Sequence, residues 1–274
     1  MKQYHLNRLY SILRAMAKHP RVLGQTMKTL PFIGDGISFS RTFQDSAPEI
    51  AGSYPASRDT LWEYFYNYQE GPGIWKWEHY FDIYQRHFAK FVGRKVNVLE
   101  IGIYSGGSLE MWRSYFGDNC HIYGVDIEKA CKAYENDHVS VFIGDQADRS
   151  FWNTFRNSVE GIDILIDDGG HTPEQQQITL EEMLPNLRPG GVYLCEDVHG
   201  SFNRFSAFAT ALVNELNSLN HIPGSLLASS VTQFQSAVHS IHFYPYVVVI
   251  EKHLISPSKL SAPKHGTEWQ PFLG

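Results

Sequence analysis

Two short acidic runs each follow an apolar segment of the sequence, and together they could hold a metal ion. The first covers residues 167–171, with the order Asp-Asp-Gly-Gly-His, and the second covers residues 196–197. If the preceding segments are neighbouring strands of a parallel sheet, their ends lie roughly 5–10 Å apart. Asp168, Glu196 and Asp197 would then reach one ion. Three carboxylates without a thiolate suit Mg²⁺, with Ca²⁺ or Mn²⁺ less favoured, whereas zinc would want more His and Cys.

Glu196 and Asp197 are adjacent, which limits how both could face the same ion. Successive residues of a strand point to opposite faces, so the two carboxylates converge only if the strand has already ended. The alternative is that only one of them binds metal. We favour the shared site because several anions packed together without a cation would be costly.

His171 lies three positions after Asp168 and directly before a predicted helix. Residues 172–175, in the order Thr-Pro-Glu-Gln, fit a capping box in which Thr172 is the N-cap and Gln175 the third helical residue. His171 is therefore expected at the edge of the sheet beside the metal, where it could act as a general base. His199, two residues after Asp197, is the alternative base.

A glycine-rich turn follows the first apolar segment, with glycines at positions 102, 106 and 107. Such glycines let the backbone turn sharply and approach a ligand at the carboxyl edge of a sheet, although the spacing is not the GxGxxG of dinucleotide-binding proteins. The next two strand candidates end in Asp126 and in Asp145-Gln146. Asp126 can accept hydrogen bonds from two ribose hydroxyls, and Asp145 or Gln146 can read an adenine amino group. Three polar strand ends on one edge predict a nucleoside site.

These side chains need a sheet that brings their strand ends to one edge. Five segments rich in Val, Ile and Leu, separated by helix-length stretches, predict buried parallel strands. The last two segments are separated only by Pro245 and its neighbours, which forces an antiparallel hairpin. We predict an α/β fold with a Rossmann-like, seven-stranded, mostly parallel sheet, a C-terminal antiparallel hairpin and helices on both faces. The predicted strands are Val96–Ile101, His121–Val125, Val139–Ile143, Ile162–Ile166, Val192–Cys195, His239–Tyr244 and Tyr246–Glu251.

The rest of the chain is divided by composition. Residues 1–58 are expected to be an N-terminal helical arm and linker, residues 59–255 the α/β domain, and residues 256–274 a surface-lying tail. Within the arm, residues 32–54 read as an irregular linker because of their Gly, Ser and Pro content. The arm also holds apolar residues at the spacing of a short basic amphipathic helix, namely Leu6, Leu9, Tyr10, Leu13 and Met16.

Two aromatic-rich helices are predicted before the sheet, Thr60–Gln69 and Trp75–Phe91, broken by the Gly-Pro-Gly at residues 71–73. Residues 73–80 could cover the ligand of this nucleoside site. Lys76 could then meet a carboxylate of that ligand, and Tyr80 could line its pocket. An amphipathic helix packed on the sheet explains the aromatic residues equally well.

Composition excludes some classes of function. The 274 residues carry a formal net charge of -6, so they supply no overall basic field for nucleic acid. The three cysteines are odd in number and lack a CxxC spacing, which favours buried free thiols and asks for no oxidising compartment. No apolar run approaches the length of a membrane span. We expect a cytoplasmic protein.

The strand-end residues resemble the motifs of class I S-adenosylmethionine-dependent methyltransferases. Glu100-x-Gly102 is similar to their first motif, Asp126 to the acid that holds the ribose, and residues 187–191 to their turn before strand five. The resemblance covers roughly residues 95–251 and implies that Gly102 and its neighbours lie under the methionine moiety. The donor site it implies consists of Glu100, Gly102, Tyr104, Ser105, Ser108, Asp126, Ile127, Asp145, Gln146, Asp167 and Lys76.

The acidic runs sharpen the resemblance. Residues 168–171 and 196–197 look like those of the metal-dependent sugar O-methyltransferases of macrolide and related antibiotic pathways, a group that shares its fold with cephalosporin hydroxylase-like proteins. The resemblance implies that Asp168, Glu196 and Asp197 hold Mg²⁺ and that His171 is the base. It also implies a sugar or other polyhydroxylated natural product as the small-molecule acceptor, and a homo-oligomer. The N-terminal part does not match the substrate-binding region of those enzymes.

Two other functions fit part of the same pattern. A non-haem iron oxygenase could use His171, His199 and a carboxylate as a facial triad, but it leaves Asp126 and Asp145 without a task. A non-catalytic S-adenosylmethionine-binding protein could also keep the fold. Iron content would distinguish the first, and absence of turnover and metal affinity the second.

Overall fold

The structure, a computed structural model, describes residues 14, 17–44, 60–223 and 228–266. The chain divides into two compact units, Met1–Pro55 and Ala56–Gly274. The domain boundaries at residues 58 and 255 stay predictions. Within the described ranges, no helix is long and apolar enough to cross a membrane.

Helix α1, Pro20–Thr42, lies in the first unit and buries none of its side chains. The predicted irregular linker is therefore wrong for residues 32–42. The hydroxyls of Ser40 and Thr42 in this stretch donate to helix carbonyls three or four residues earlier, at 2.9–3.3 Å, so these polar residues are accommodated without breaking the helix. The five apolar residues of the predicted amphipathic helix lie outside the described residues.

The second unit alternates strands and helices from residue 96 onward. Two helices precede the sheet, α2 at Thr60–Asn67 and α3 at Tyr80–Phe88. The following helices are α4 at Gly107–Phe116, α5 at Arg149–Ser158, α6 at Pro173–Met183, α7 at Arg204–Leu216 and α8 at Gln233–Ala237. The strands are β1 at Val96–Ile101, β2 at Cys120–Asp126, β3 at Val139–Ile143, β4 at Ile162–Asp167, β5 at Leu187–Cys195, β6 at Asn220–His221, β7 at Ala228–Ser230, β8 at Val238–Tyr244, β9 at Val247–Lys252 and β10 at Lys259–Ser261.

The main sheet has seven strands in the order β3-β2-β1-β4-β5-β9-β8. Strands β1 to β5 pair in parallel, whereas β9 runs antiparallel to both β5 and β8. This arrangement confirms the predicted α/β fold with its C-terminal hairpin. A second, three-stranded sheet has the order β10-β7-β6.

Alternation along the strands divides the core into two layers. In β1, Val96 and Val98 face the layer that contains α2, α3 and α4, while Leu99 and Ile101 face the layer that contains α5, α6 and α7. Because side chains of a strand alternate between faces, Glu100 must share the face of Val98. Burial on both faces explains why the parallel strands read as continuous apolar runs.

The helix predicted at residues 75–91 begins only at Tyr80 and continues as a short 3₁₀ turn over Ala89–Phe91. The preceding residues, 74–76, adopt no regular structure. Lys76, inside this segment, forms buried ion pairs with strand-end carboxylates, described below, and these contacts replace the helical path that local periodicity predicts.

Candidate active site

Strand alternation sends the acidic residues at the carboxyl edge to two different faces. Ile164 and Ile166 of β4, and Val192 and Leu194 of β5, pack in the layer of α2 to α4. The positions two residues further along, Asp168 and Glu196, therefore continue on that face together with Glu100 of β1. Asp167 lies on the opposite face. Three carboxylates thus approach one another from three adjacent strand ends.

Lys76 lies among these three carboxylates. Its Nζ is 2.6 Å from Asp168 Oδ2, 3.0 Å from Glu196 Oε2 and 3.7 Å from Glu100 Oε1, and its side chain is 3% exposed. Burial alone would lower the pKa of Lys76, but the surrounding carboxylates outweigh it and hold the pKa well above its usual value. The ammonium is therefore a fixed positive charge at the centre of the acidic group. Its expected contact with the carboxylate of a methyl donor stays a prediction.

Both side-chain oxygens and the backbone carbonyl of Glu196 have protein partners. Besides the ammonium of Lys76, its Oε1 accepts a hydrogen bond of 2.6 Å from the hydroxyl of Tyr84. Its backbone carbonyl accepts another, of 3.0 Å, from Gln176 Nε2. Glu196 is 1% exposed, and burial raises its pKa despite the neighbouring lysine.

A second group of ligand-type side chains lies beside the first. Single ligand atoms of Asp168, His171 and Asp197 all lie within 4.8 Å of one another. We call these three residues the cation-binding group. The side chains of these residues are 18%, 40% and 20% exposed, so solvent reaches the group. Of the three carboxylates predicted to share an ion, Asp168 and Asp197 meet here, whereas Glu196 is held by Lys76 and Tyr84.

The backbone explains how Glu196 and Asp197 separate. Strand β5 ends at Cys195, and Asp197 has a positive φ of 53°. His171 also has a positive φ, of 56°. Such left-handed conformations are uncommon for residues other than glycine and are concentrated at functional sites. The strand therefore ends before the acidic pair, as the sequence argument required, but the turn directs only Asp197 to the exposed group.

Asp197 is held from three sides. Its Oδ1 accepts hydrogen bonds from the Tyr80 hydroxyl at 2.8 Å and from Trp77 Nε1 at 3.1 Å. His199 Nε2 lies 3.4 Å from Oδ1, and His171 Nε2 lies 3.7 Å from Oδ2. The two histidines considered as bases therefore flank one carboxylate. Tyr80, which was expected to line the donor pocket, positions Asp197.

The capping box predicted after His171 is present. The Thr172 hydroxyl accepts from the backbone N–H of Gln175, and Gln175 Oε1 accepts from the backbone N–H of Thr172. Helix α6 then begins at Pro173. This cap fixes the chain directly after His171 and so holds the imidazole at the sheet edge.

The donor set of this second group suits a hard divalent cation. Two carboxylates and one imidazole provide a mostly oxygen ligand set. Because these side chains are partly exposed, water or an acceptor hydroxyl could supply further oxygen ligands. A facial triad of a non-haem iron oxygenase needs two histidines and one carboxylate, whereas this group contains one histidine and two carboxylates.

The glycine turn after β1 packs tightly against other parts of the same edge. Gly102 has φ 82°, and a Cβ at this position would lie 2.1 Å from the carbonyl oxygen of Asp168. A Cβ on Gly107 would lie 2.2 Å from the carbonyl oxygen of Pro72, which places the segment before Lys76 against the turn. Ser108, predicted to touch the donor, donates a 2.8 Å hydrogen bond to Glu100 and is buried. Ser108 and Glu100 thus support the turn from inside.

Two backbone N–H groups hold the carboxylate of Asp126, whose binding of ribose stays a prediction. Its Oδ2 accepts from the backbone N–H of Tyr104 at 3.0 Å, and its Oδ1 accepts from the backbone N–H of Glu128 at 2.9 Å. Each oxygen keeps further acceptor capacity, because a carboxylate oxygen has two lone pairs. The half-buried carboxylate is therefore fixed at the end of β2 and can still accept hydroxyl donors.

The remaining predicted donor residues divide into exposed and buried ones. Tyr104 and Ile127 are 76% and 65% exposed beside Asp126, Ser105 is half-buried, and Asp145 is exposed at the end of β3. Gln146 is buried, and its amide is satisfied within the protein: it donates to Asp167 at 3.0 Å and accepts from the backbone N–H of Gly170 at 2.7 Å. Of the alternatives for reading adenine, Asp145 is the one whose side chain is exposed.

Asp167 has a structural environment. It accepts hydrogen bonds from Gln146 and, at 3.3 Å, from the Tyr193 hydroxyl, and it is 1% exposed. Burial raises the pKa of Asp167 to about 6, and these hydrogen bonds oppose the rise. Its predicted contact with the donor stays untested.

Sequence reasoning missed three aromatic residues at the site. Tyr84 binds Glu196, Trp77 binds Asp197, and the Tyr246 ring packs 5.5 Å from that of Trp77 and 4.6 Å from that of His199, centroid to centroid. Nothing in the local pattern around these residues differs from an ordinary aromatic core. The parity of the strand positions could have shown in advance that Glu100 and Glu196 share a face.

Comparison with known proteins places this geometry in a class. Residues 99–198 match the family model described as "Methyltransferase domain". The MycE methyltransferase from the mycinamycin biosynthetic pathway, crystallised in complex with Mg and SAH, is similar in structure, with a TM-score of 0.55 and 27% sequence identity over 63% of this chain and 48% of that chain. The chain therefore contains a methyltransferase domain with a Rossmann-like fold, as the strand-end motifs predicted.

The curated relatives define the class further. The 8-demethyl-8-alpha-L-rhamnosyl tetracenomycin-C 2'-O-methyltransferase of Streptomyces olivaceus is 30% identical over 203 residues, which are 67% of this chain and 53% of that protein. Demethylmacrocin O-methyltransferase of Streptomyces fradiae is 38% identical over 122 residues, 42% of this chain and 30% of that protein. The chain spans about half or less of the length of these relatives. Both relatives are named as O-methyltransferases, and the name of the first specifies a rhamnosyl tetracenomycin.

Proposed function

We propose that this protein transfers the methyl group of S-adenosylmethionine to a hydroxyl of a sugar or other polyhydroxylated natural product, with the help of Mg²⁺. The observation that carries the proposal is the meeting of Asp168, His171 and Asp197 at the same sheet edge as Asp126. A donor-binding acid and a cation-binding group on one edge are what metal-assisted methyl transfer requires. The named relatives support the choice of acceptor.

The donor would be held by the chain around the end of β1 and β2. Asp126 offers its remaining lone pairs to the ribose hydroxyls, and the exposed Asp145 offers a carboxylate to the adenine amino group. Gly102 lets the turn pack directly on the backbone of Asp168, next to the place where the methionine moiety is expected. The sulfonium carries its own electrophilic methyl group, so these residues serve mainly to align an in-line attack.

Asp168 and Asp197 would hold the ion most directly, because their carboxylates already lie together and are partly exposed. When bound, Mg²⁺ lowers the pKa of a coordinated hydroxyl and stabilises the developing alkoxide. Glu196 remains a proposed ligand, and it stands one step removed because Lys76 and Tyr84 engage it. Lys76 neutralises part of the negative charge and keeps the strand ends together.

His171 would accept the acceptor's proton at Nε2. In this role the imidazole is not a ligand of the ion: it lies beside the two carboxylates, is partly exposed, and is fixed in place by the following helix cap. His199 flanks the same carboxylate, but its ring packs against Tyr246 and Trp77. This packing favours His199 as part of the pocket wall and His171 as the base.

The first test is calorimetry with S-adenosylmethionine and with Mg²⁺, on the wild type and on Asp168→Asn. We expect the variant to lose Mg²⁺ binding and to keep donor binding. Asp118→Asn is the matched control, because this carboxylate is fully exposed on the turn before β2. Wild-type Mg²⁺ affinity in Asp168→Asn would refute the metal role.

The second test compares the two histidines. His171→Ala is expected to abolish methyl transfer while donor and Mg²⁺ binding persist. Methyl transfer is measured by mass spectrometry of rhamnosylated acceptors. His199→Ala should lower turnover less, and His138→Ala, an exposed histidine before β3, should be unchanged. A fully active His171→Ala enzyme would show that His171 is not the general base.

We also propose a cytoplasmic homo-oligomer that does not bind nucleic acid. The net charge of -6 supports the last point, because it offers no overall attraction to phosphate. Analytical ultracentrifugation with and without a DNA duplex tests both the assembly and the binding.

A further inference from the structure

Three aromatic side chains stand in contact beside Asp197 and remain half exposed. Ring centroids lie 5.5 Å apart for Trp77 and Tyr246, 4.6 Å for His199 and Tyr246, and 6.4 Å for Trp77 and His199. The corresponding ring planes are inclined by 51°, 73° and 73°, so the three rings pack edge to face and do not form one flat surface. Trp77 is 49% exposed and Tyr246 is 41% exposed, and the His199 side chain is 48% exposed. We call Trp77, His199 and Tyr246 the aromatic platform.

The platform is attached to the cation-binding group by polar contacts. Trp77 Nε1 donates to Asp197 Oδ1 at 3.1 Å, and His199 Nε2 lies 3.4 Å from the same oxygen. Trp77 and His199 therefore contact Asp197, the carboxylate that groups with Asp168 and His171. A molecule lying on the platform would reach this group with its edge.

Tyr246 is held in a conformation that tyrosine disfavours. Tyr244 pairs with Val247, so Pro245 and Tyr246 form a two-residue turn between β8 and β9. Tyr246 has φ 64° at the second position, where glycine or asparagine normally stands. The turn is fixed by hydrogen bonds from Val198 N to Tyr246 O and between a ring nitrogen of His79 and Pro245 O.

Strain at this turn belongs to a pattern. Among the described residues, five other than glycine have a positive φ, and three of these are His171, Asp197 and Tyr246. Strand β9 runs antiparallel to β5, so the turn before β9 lies at the carboxyl end of β5. Strained backbone concentrated at one edge suggests that the side chains there are positioned for a ligand.

The platform fits one kind of ligand. A pyranose ring has an apolar face of C–H groups, which packs on the flat, electron-rich face of an aromatic ring, and a rim of hydroxyls. We propose that a pyranose ring of the acceptor stacks on the Tyr246 ring and is flanked by the inclined rings of Trp77 and His199, which directs one ring hydroxyl towards Asp168, His171 and Asp197. This inference rests on the proposed function and adds the residues that recognise the sugar.

The test uses Tyr246→Asn, which removes the ring and keeps a residue that tolerates a positive φ. Binding of methyl α-L-rhamnopyranoside is titrated by ligand-detected NMR on the full chain with S-adenosylhomocysteine and Mg²⁺. We expect Kd to rise about tenfold, which corresponds to about 1.4 kcal/mol. Tyr246→Phe should restore binding to within about threefold of wild type, because stacking needs the ring and not the hydroxyl.

Tyr66→Asn is the matched control, since Tyr66 is 70% exposed on α2 and stacks on Trp62, which is not part of the aromatic platform. It should bind the rhamnoside like wild type. Thermal unfolding supplies the structural readout: Tyr246→Asn should unfold at the wild-type temperature or above. A fall in Tm would show that the Tyr246 ring serves packing and would count against the platform.

Two outcomes separate this inference from the proposed function. If Tyr246→Asn loses rhamnoside binding but the wild type methylates no sugar, the platform stands and the proposed activity fails. If Tyr246→Asn methylates a rhamnosylated acceptor with unchanged KM, the activity stands and the platform is wrong. Catechol, a planar aromatic probe, is titrated in parallel, and preference for catechol over the rhamnoside would overturn a sugar ligand.

Discussion

Replacing Lys76 by Met removes the positive charge at the centre of the buried acidic group while keeping the length of the side chain. The ammonium lies 2.6 Å from Asp168 Oδ2 and 3.0 Å from Glu196 Oε2, and the side chain is 3% exposed. Glu100 Oε1, 3.7 Å from the ammonium, has no hydrogen-bond partner. The variant therefore leaves three carboxylates near one another without their shared cation.

The expected cost is large on the scale of a folded domain. Removing one partner of a buried ion pair typically destabilises by about 3–5 kcal/mol, because a charge is left buried without compensation. Total stability is about 5–15 kcal/mol, so the loss in Lys76→Met should range from about a fifth of it to all of it. Protonation of one carboxylate, or entry of a divalent ion, would recover part of this loss.

Urea unfolding in EDTA measures the effect, and the same series with Mg²⁺ asks whether the ion stabilises the variant more than the wild type. We expect that it does, because Asp168 is shared by the acidic group and the cation-binding group. Lys90→Met is the control: this lysine is 40% exposed, pairs with Glu251 at 3.1 Å, and should cost less than about 1 kcal/mol.

A double variant tests the attribution to charge. Adding Glu196→Gln removes one of the carboxylates that Lys76 compensates, so the double variant should lose clearly less than the sum of the two single losses. The reasoning is refuted if Lys76→Met lies within about 1 kcal/mol of wild type, or if the two losses simply add.

Three further predictions follow from other contacts. Gly102→Ala should destabilise the fold by several kcal/mol, since its Cβ would lie 2.1 Å from a backbone oxygen. The control, Gly93→Ala, has φ 73° and open space around the Cβ, and it should lose about 1 kcal/mol. Urea unfolding measures both. Burial would raise the pKa of Glu251, but hydrogen bonds from His87 and a lysine lower it to about 2. This carboxylate therefore stabilises the fold above its ordinary pKa of 4.5, and the contribution, of order 1–2 kcal/mol after solvent screening, is lost as pH falls towards 2. Glu251→Gln should flatten the stability curve between these pH values, and an unchanged slope would contradict the assignment. All three cysteines are buried, which raises the pKa of each thiol, so a thiol reagent should react fast only after unfolding; rapid reaction of the native protein would contradict this burial.

The sequence by itself determined the sheet and the edge at which the chemistry occurs. Apolar runs of strand length, spaced by helices, can be buried on both faces only as parallel strands, and a break of one or two residues around Pro245 permits only a hairpin. Parallel strands carry their carboxyl ends to one edge, so Asp126, Asp145 and Asp168 were expected at that edge. The capping box after His171 was equally local, because its hydrogen bonds join residues three positions apart.

Tertiary structure decided which of these groups face one another. Lys76 is about 90 and 120 positions away from Asp168 and Glu196, and no local pattern indicates that its ammonium binds both. The direction of Asp197 depends on a left-handed backbone that tyrosine and tryptophan side chains from other elements hold in place. Periodicity reports which face a residue prefers, whereas the partner across that face is fixed only when distant segments pack, since ion pairs and strained turns depend on contacts far apart in the chain.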